Sequence, residues 1–100
     1  MITHVVVFWV NAPVAENAEK LLDGCRKLLT DIPGVQNFRV GAPVPSSRGI
    51  VDGSYAVAIS MDFTDQAAAD AYQAHPQHVG FVNDYFKPLV GRAVVYDFGG

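Results

Sequence analysis

The chain begins with an unbroken apolar segment, Val5 to Val10, made of four valines and two aromatic residues. Branched and aromatic residues favour strands, and the following Asn11-Ala12-Pro13 sequence is typical of a strand end. Because no polar residue alternates with the apolar ones, both faces of this strand are expected to be covered. We expect helices on one face and a different partner on the other; the residues that face the helices are His4, Val6 and Phe8.

From Pro13 onward the apolar residues recur every three or four positions, which predicts an amphipathic helix. Pro33-Gly34 is expected to end this helix. Val35 to Val40 is then predicted as a second strand, and Gly41 to Gly53, rich in Pro, Ser and Gly, as a surface loop. The predicted buried stripe of the helix consists of Val14, Ala18, Leu21, Leu22, Cys25, Leu28, Leu29 and Ile32.

Regular alternation predicts a third strand from Ser54 to Phe63. Its large residues, expected on the helix side, are Tyr55, Val57, Ile59, Met61 and Phe63. Thr64 or Asp65 is expected to cap the next helix, and Asp62, beside the same turn, is interpreted as a capping residue as well.

The second helix is expected to break or restart at Pro76, since proline cannot continue a helix without loss of a hydrogen bond. A fourth strand is predicted from Ala93 to Phe98. The helix stripe before the proline holds Ala68, Ala71, Tyr72 and His75, and the apolar pattern after it continues with Val79, Val82, Tyr85, Phe86 and Leu89.

The predicted order is strand, helix, strand, strand, helix, strand, which matches the split βαβ plan of ferredoxin-like α+β folds. This plan gives a four-stranded antiparallel sheet with helices on one face. The other face holds Val5, Val7 and Trp9, and apolar residues of that size require a partner. The sequence therefore predicts a single domain over residues 1–100 that forms a homodimer through its open sheet face.

Composition excludes several classes of function. Half of the residues are hydrophobic, only 17% are charged, and the net charge is -3. The seven basic residues are scattered, so nucleic acid is not an expected partner. No apolar run approaches the ~20 residues of a membrane span, and Met1-Ile2-Thr3-His4 lacks the cationic start of a signal peptide. With Cys25 as its one cysteine, the protein is expected to be cytoplasmic.

Four segments carry a resemblance to a known family: His4 to Phe8, Ile32 to Val35, Tyr72 to His78 and Val94 to Phe98. The chain resembles the stress-responsive dimeric α/β-barrel (Dabb) family over essentially its whole length. The His-Pro-x-His step after the second helix is the most specific part. The resemblance implies a homodimer in which two ferredoxin-like sheets close a barrel.

The resemblance also implies candidate site residues. A plant member of the family is a cofactor-free polyketide cyclase that forms olivetolic acid by aldol condensation. Similarity to it implies catalytic roles for Tyr72 and His78, a pocket role for His4, and no cofactor. The chain departs from that cyclase at Val57, where the cyclase has a histidine, so a less polar pocket is implied. The residues interpreted as substrate-binding are His4, Phe8, Val57, Ile59, His75 and Phe81.

Each candidate residue has a structural alternative. His78, with an ordinary pKa of ~6.5, suits a general base, or its ring bonds a backbone carbonyl. Tyr72 suits a donor to an enolate oxygen, or it is an aromatic residue at the core edge. His75 precedes proline and is therefore favoured as a structural residue, through a cap or a bond to the neighbouring strand. We expect no metal, because the three histidines lack a carboxylate or thiolate at suitable spacing. Cys25 is expected to be a buried apolar residue, and Gly24 beside it either allows close helix–sheet packing or is merely tolerated.

Three functions remain open. The first is a cofactor-free lyase or cyclase that acts on a polyketide-like or other carbonyl substrate through Tyr72 and His78. The second is a non-catalytic dimer that binds a hydrophobic ligand or resists stress. The third is a monooxygenase-like activity, by analogy with other dimeric α/β barrels. The second interpretation predicts a pocket filled by side chains such as Phe8, Ile59, Phe81 and Phe86.

Overall fold

The computed structural model describes residues 1–100 and contains one four-stranded sheet. The strands are β1 (Ile2–Val10), β2 (Gln36–Gly41), β3 (Val57–Phe63) and β4 (Val90–Gly99). The helices are α1 (Val14–Leu28), α2 (Gln66–Ala74), α3 (Pro76–Phe81) and α4 (Lys87–Leu89), with a π-helical segment, Val82–Phe86, between α3 and α4.

All strand pairs are antiparallel, and the order across the sheet is β2-β3-β1-β4. This confirms the predicted ferredoxin-like α+β fold. No helix has both the length and the apolar character needed to cross a membrane.

The core lies between the helices and one face of the sheet. Alternation along β1 buries His4, Val6 and Phe8 on that face, as predicted. The alternation along β3 likewise buries every second residue, because successive strand side chains point to opposite faces. The largest fully buried side chains are Tyr72, Phe8, Phe63, Leu21, Leu29, Met61, Val57 and Cys25.

Helix α1 ends at Leu28, four residues before the predicted end. The backbone N–H of Leu29 donates to the Cys25 carbonyl and closes the helix. Leu29 and Ile32 are nevertheless buried, so the apolar pattern continues into the turn after the helix has ended. The placement of Val14 on the buried stripe was wrong. Val14 is 55% exposed, because the first turn of α1 lies in solvent together with its neighbours Ala15 and Glu16.

Strand β3 begins at Val57, three residues later than predicted, and this changes the position of Tyr55. Tyr55 was predicted to face the helices, and this was wrong. It lies beside Val7 and Trp9 on the open face of the sheet. The residues before Val57 lie outside the strand ladder, so strand alternation does not extend back to Tyr55.

Asp65 caps α2, as predicted, by accepting a hydrogen bond from the Ala68 backbone N–H at 2.9 Å. The capping role of Asp62 was wrong. Its carboxylate accepts hydrogen bonds from the Thr3 hydroxyl at 2.7 Å and from the Asn37 side-chain amide at 2.8 Å. Asp62 therefore links β1, β2 and β3 across the open face, and these hydrogen bonds lower its pKa.

Gly24 is required for close packing between α1 and the π-helical segment. A methyl group built on Gly24 would lie 2.4 Å from a ring carbon of Tyr85. The sequence left open either close helix–sheet packing at Gly24 or mere tolerance of the residue. The structure shows a close contact, but the neighbour is the Tyr85 ring of the π-helical segment and not the sheet.

The open face of the sheet has an apolar half and a polar half. The apolar half runs along β1 and β4 and includes Val7, Trp9 and the 59% exposed Tyr96 and Phe98. The guanidinium of Arg92 lies 4.2 Å from the centre of the Trp9 ring. The polar half, along β2 and β3, holds Arg39, Ser60 and Asp62.

Candidate functional site

A cavity of about 200 Å³ lies between the helices and the half of the sheet formed by β1 and β4. The helices cover this half incompletely: Val95, which pairs with Val6 on β1, is 51% exposed. Most of the lining is apolar. The polar residues at the cavity are His4, Tyr72, Gln73 and His78; the apolar ones include Val6, Phe8, Leu29, Ile59, Phe81, Val82 and Phe86.

Tyr72, on α2, is the largest fully buried residue and is only 1% exposed. Its ring packs against Phe63 at a centroid distance of 5.2 Å and against His78 at 4.7 Å. Burial, with a smaller contribution from Cys25, raises the pKa of the Tyr72 phenol far above its usual value. Every fully enclosed side-chain polar atom has a partner in the protein. The Tyr72 hydroxyl makes no such bond, so a small part of it is not enclosed, and Tyr72 belongs to the lining of the cavity. Its raised pKa keeps the phenol protonated, as a hydrogen-bond donor.

His78 lies in the first turn of α3, directly after the break at Pro76. Its Nδ1 lies 3.1 Å from the backbone carbonyl oxygen of Gln73. A carbonyl only accepts, so Nδ1 carries the hydrogen and Nε2 keeps its lone pair. Burial lowers the pKa of His78, and the Gln73 carbonyl opposes this shift only in part. The hydrogen bond to a backbone carbonyl that was the structural alternative for His78 is therefore present. It occupies Nδ1 only, so Nε2 remains available as a base.

His4 reaches the same region from β1 and is 9% exposed. Its Nδ1 lies 2.5 Å from an Asp97 carboxylate oxygen on β4. Its ring meets the ring of Tyr72 edge-on, with the centroids 6.1 Å apart. Residues from two strands and two helices thus form one polar cluster at the cavity wall.

Phe8 forms the centre of an aromatic wall. Its ring meets those of Phe81 and Phe86 edge-on, with centroid distances of 6.4 and 6.1 Å. Phe86 and Val82 both belong to the π-helical segment, a rare geometry that recurs at functional sites. These aromatic side chains line the cavity and leave its volume open.

Six of the eight predicted site residues meet at the cavity: His4, Phe8, Ile59, Tyr72, His78 and Phe81. Two do not. Val57 is fully buried in the core opposite Phe8 on β1, and His75 lies at the junction of α2 and α3. The His75 Nδ1 accepts the backbone N–H of Gln77 at 3.1 Å. His75 therefore caps α3, which is one of the two structural roles expected for it, and it does not border the cavity.

Sequence reasoning missed two polar residues, Asp97 and Gln73. Asp97 lies two residues after Val95 on β4 and therefore faces the same side of the sheet, opposite His4. The alternation along β4 indicates the side of the sheet that Asp97 faces. Its position opposite His4 can be predicted only when the pairing of β4 with β1 is also known. Gln73 is exposed on α2 and borders the cavity next to Tyr72.

No group of three or more His, Cys, Asp or Glu side chains is arranged to hold a metal ion.

The fold and the cavity together define a ferredoxin-like α+β domain with a small, mainly apolar pocket beneath its helices. The chain belongs to the Dabb family, because the model of the stress responsive A/B barrel domain matches residues 2–99.

Solved structures of similar proteins agree with this assignment. A Dabb family protein with a ferredoxin-like fold from Mesorhizobium loti is 32% identical, with a TM-score of 0.80 over 99% of this chain and 95% of that chain. A dimeric ferredoxin-like protein of unknown function from Thermobifida fusca is 27% identical, with a TM-score of 0.80 over 99% and 90%. An antibiotic biosynthesis monooxygenase is 14% identical, with a TM-score of 0.73 over 100% and 98%, and shares the fold alone. No curated protein sequence matches the chain.

Proposed function

We propose that the protein is a cofactor-free enzyme that transfers a proton at a carbon next to a carbonyl group, as a lyase, cyclase or isomerase does. The observation that carries this proposal is the pairing of Tyr72 and His78 at one apolar cavity, with their rings 4.7 Å apart. One residue is a protonated donor and the other a neutral acceptor. Proton abstraction next to a carbonyl requires these two groups.

The two residues have complementary roles in such a step. The His78 Nε2 removes a proton from the carbon, and the electron pair of the broken C–H bond moves toward the carbonyl oxygen. The Tyr72 hydroxyl donates a hydrogen bond to the resulting enolate oxygen. The His78 imidazolium then returns the proton to carbon. In an aldol step, the enolate carbon instead attacks a second carbonyl group, and the imidazolium gives its proton to the alkoxide oxygen that forms. A raised phenol pKa keeps Tyr72 in its donor form.

The competing functions have less support. A non-catalytic ligand-binding protein would use the same cavity without proton transfer, and it is the alternative outcome of the experiment below. A monooxygenase-like activity rests on a structural neighbour that is 14% identical, and identity this low concerns the fold and not the chemistry.

The test is hydrogen exchange of small ketones in deuterated water, followed by NMR. The wild-type protein is expected to accelerate loss of the proton next to the carbonyl. Tyr72→Phe and His78→Ala are each expected to lower the rate by about 100-fold, the usual size of one acid–base or donor contribution. Matched controls are Tyr85→Phe, which removes a hydroxyl outside the cavity lining, and His75→Asn, which keeps a capping side chain.

Two outcomes would count against catalysis. In the first, both cavity variants keep the wild-type exchange rate per folded molecule. In the second, the wild-type protein binds the ketone and causes no exchange above that of the buffer. The second outcome would leave a ligand-binding protein as the better interpretation.

We also infer that the protein is a homodimer that buries the apolar half of its open sheet face. Tyr96 and Phe98 are each 59% exposed there, next to the half-buried Val7 and Trp9. An isolated chain would expose the apolar half of the open face to water. The similar protein from Thermobifida fusca is described as dimeric, which supports the inference.

The dimer is tested by light scattering at micromolar concentration with two variants of neighbouring residues. Tyr96→Lys places a charge on the open face and is expected to give monomers. Val95→Lys places the same charge on the opposite face of β4, at a residue 51% exposed, and is expected to remain dimeric. A wild-type protein of monomer mass would overturn the inference.

A further inference from the structure

The charge pattern around the cavity identifies the kind of substrate that it accepts. We infer that the cavity binds a small, electrically neutral carbonyl compound, about the size of one substituted aromatic ring, and excludes carboxylates and phosphates. This inference rests on the proposed function and names its substrate class.

The volume of the cavity indicates the size of the ligand that it holds. The cavity measures about 200 Å³. An apolar protein cavity of ~150 Å³ holds benzene, whereas pockets for drug-sized ligands measure roughly 300–1,000 Å³. One ring with a short substituent therefore fits this space.

The lining offers no cation to an anionic group. No Lys or Arg side chain borders the cavity. His78 is neutral near neutral pH, because burial disfavours its charged form. His4 is already paired with the carboxylate of Asp97, so the pair as a whole carries no net positive charge.

The neighbouring surface is unfavourable for anions as well. A polar pocket of about 90 Å³ adjoins the cavity, and His4 and Gln73 border both spaces. The charged residues of this second pocket are Asp70 and Asp97. An anion that approaches from this side meets carboxylates, and an anion inside the cavity loses its hydration without an ion pair in return.

A neutral carbonyl group, in contrast, matches the groups that are present. Its oxygen accepts the hydrogen bond of the Tyr72 hydroxyl, which has no partner within the protein. Its ring contacts Phe8, Phe81 and Phe86, which form the aromatic wall. Both the polar atom and the apolar body of such a ligand therefore have complementary partners.

The experiment compares acetophenone with benzoate, two ligands of nearly equal size that differ in charge. Binding of each to the wild-type protein is measured by NMR titration at neutral pH. Acetophenone is expected to bind at least about tenfold more tightly than benzoate, since an unpaired carboxylate pays a desolvation cost that a ketone does not. The expected shifts include the ring signals of Tyr72 and Phe8.

A gain-of-function variant tests the electrostatic cause. Gln73→Arg introduces a cation at an exposed residue that borders the cavity, and the backbone carbonyl that holds His78 is retained. This variant is expected to gain benzoate binding by about tenfold. Ala67→Arg adds the same charge to the exposed side of the same helix, away from the cavity, and is expected to leave benzoate binding unchanged.

Wild-type binding of benzoate as tight as that of acetophenone, or binding of neither ligand, would overturn the substrate class. These results are distinct from a failure of the proposed function. Acetophenone that binds without exchange of its methyl protons contradicts proton transfer and leaves the ligand class standing. Rapid exchange of a keto acid together with benzoate binding supports proton transfer and contradicts the neutral ligand class.

Discussion

His4 Nδ1 lies 2.5 Å from the carboxylate of Asp97, on the neighbouring strand. The pairing of β1 with β4 places the two residues directly opposite each other, so the sheet itself fixes the contact. A carboxylate only accepts hydrogen bonds, and Nδ1 therefore carries the hydrogen. The bond therefore fixes the orientation of the His4 ring.

Removal of the Asp97 carboxylate is expected to destabilise the protein. The His4 side chain is 11% exposed, so Asp97→Ala leaves a nearly buried donor with little access to water. The Asp97 carboxylate is itself 59% exposed, so water replaces part of the lost bond, and the expected loss is about 0.5–1 kcal/mol of unfolding free energy, measured by urea denaturation. Asp97→Asn, which keeps an acceptor oxygen, is expected to lose less.

A double-mutant cycle separates this bond from other effects of the substitution. In a His4→Phe background the donor is absent, so Asp97→Ala is expected to change the unfolding free energy by less than about 0.5 kcal/mol. An equal loss in both backgrounds would show that Asp97 acts without His4.

The sequence was sufficient to predict the fold and most of the cavity. Alternation along β1 and β3 placed His4, Phe8 and Ile59 on the helix side, since strand periodicity needs no long-range information. The resemblance to the Dabb family supplied Tyr72 and His78. These predictions rest on local patterns or on one specific motif.

The missed features depend on contacts between distant parts of the chain. The partner of Asp97 is 93 positions away, and the strand register that joins the two is absent from any local pattern. Tyr55 was misplaced because the first residue of the β3 ladder is set by pairing with β1 and not by alternation alone. His75 and His78 are both histidines that flank Pro76, and residue type alone does not distinguish them. Because α2 ends and α3 begins at this proline, His75 caps α3, whereas His78 borders the cavity.

Gly24→Ala is expected to be strongly destabilising. The added methyl group would overlap the Tyr85 ring at 2.4 Å, so α1 or the π-helical segment must shift. Overpacking of this kind costs roughly 1–3 kcal/mol. Thermal or urea denaturation measures the loss.

Gly80→Ala is the matched control for this prediction. Gly80 lies in α3, and a methyl group there meets open space. Alanine is better than glycine in a helix, so a gain of about 0.5–1 kcal/mol is expected. A neutral effect of Gly24→Ala would mean that the contact with Tyr85 can relax at no cost.

The Cys25 thiol is expected to be unreactive in the folded protein. Cys25 is fully buried, and burial raises its pKa to about 12. The thiolate is the reactive form, so both access and ionisation oppose modification. Iodoacetamide is expected to label Cys25 in denaturant and to leave the native protein unlabelled. Rapid labelling under native conditions would contradict the burial of this helix face.

His78 is expected to make the stability of the protein depend on pH. Burial lowers its pKa in the folded state below the ordinary value of ~6.5 that applies to the unfolded chain. As the pH falls through ~6.5, the unfolded chain binds a proton at this residue before the folded chain does. The unfolded state then holds more protons, so the free energy of unfolding decreases until the pH reaches the lowered value. His78→Gln cannot titrate and is expected to show a smaller decrease over the same range, measured by urea denaturation at a series of pH values. Identical pH dependence in the wild-type protein and the variant would show that the folded state does not disfavour the His78 imidazolium.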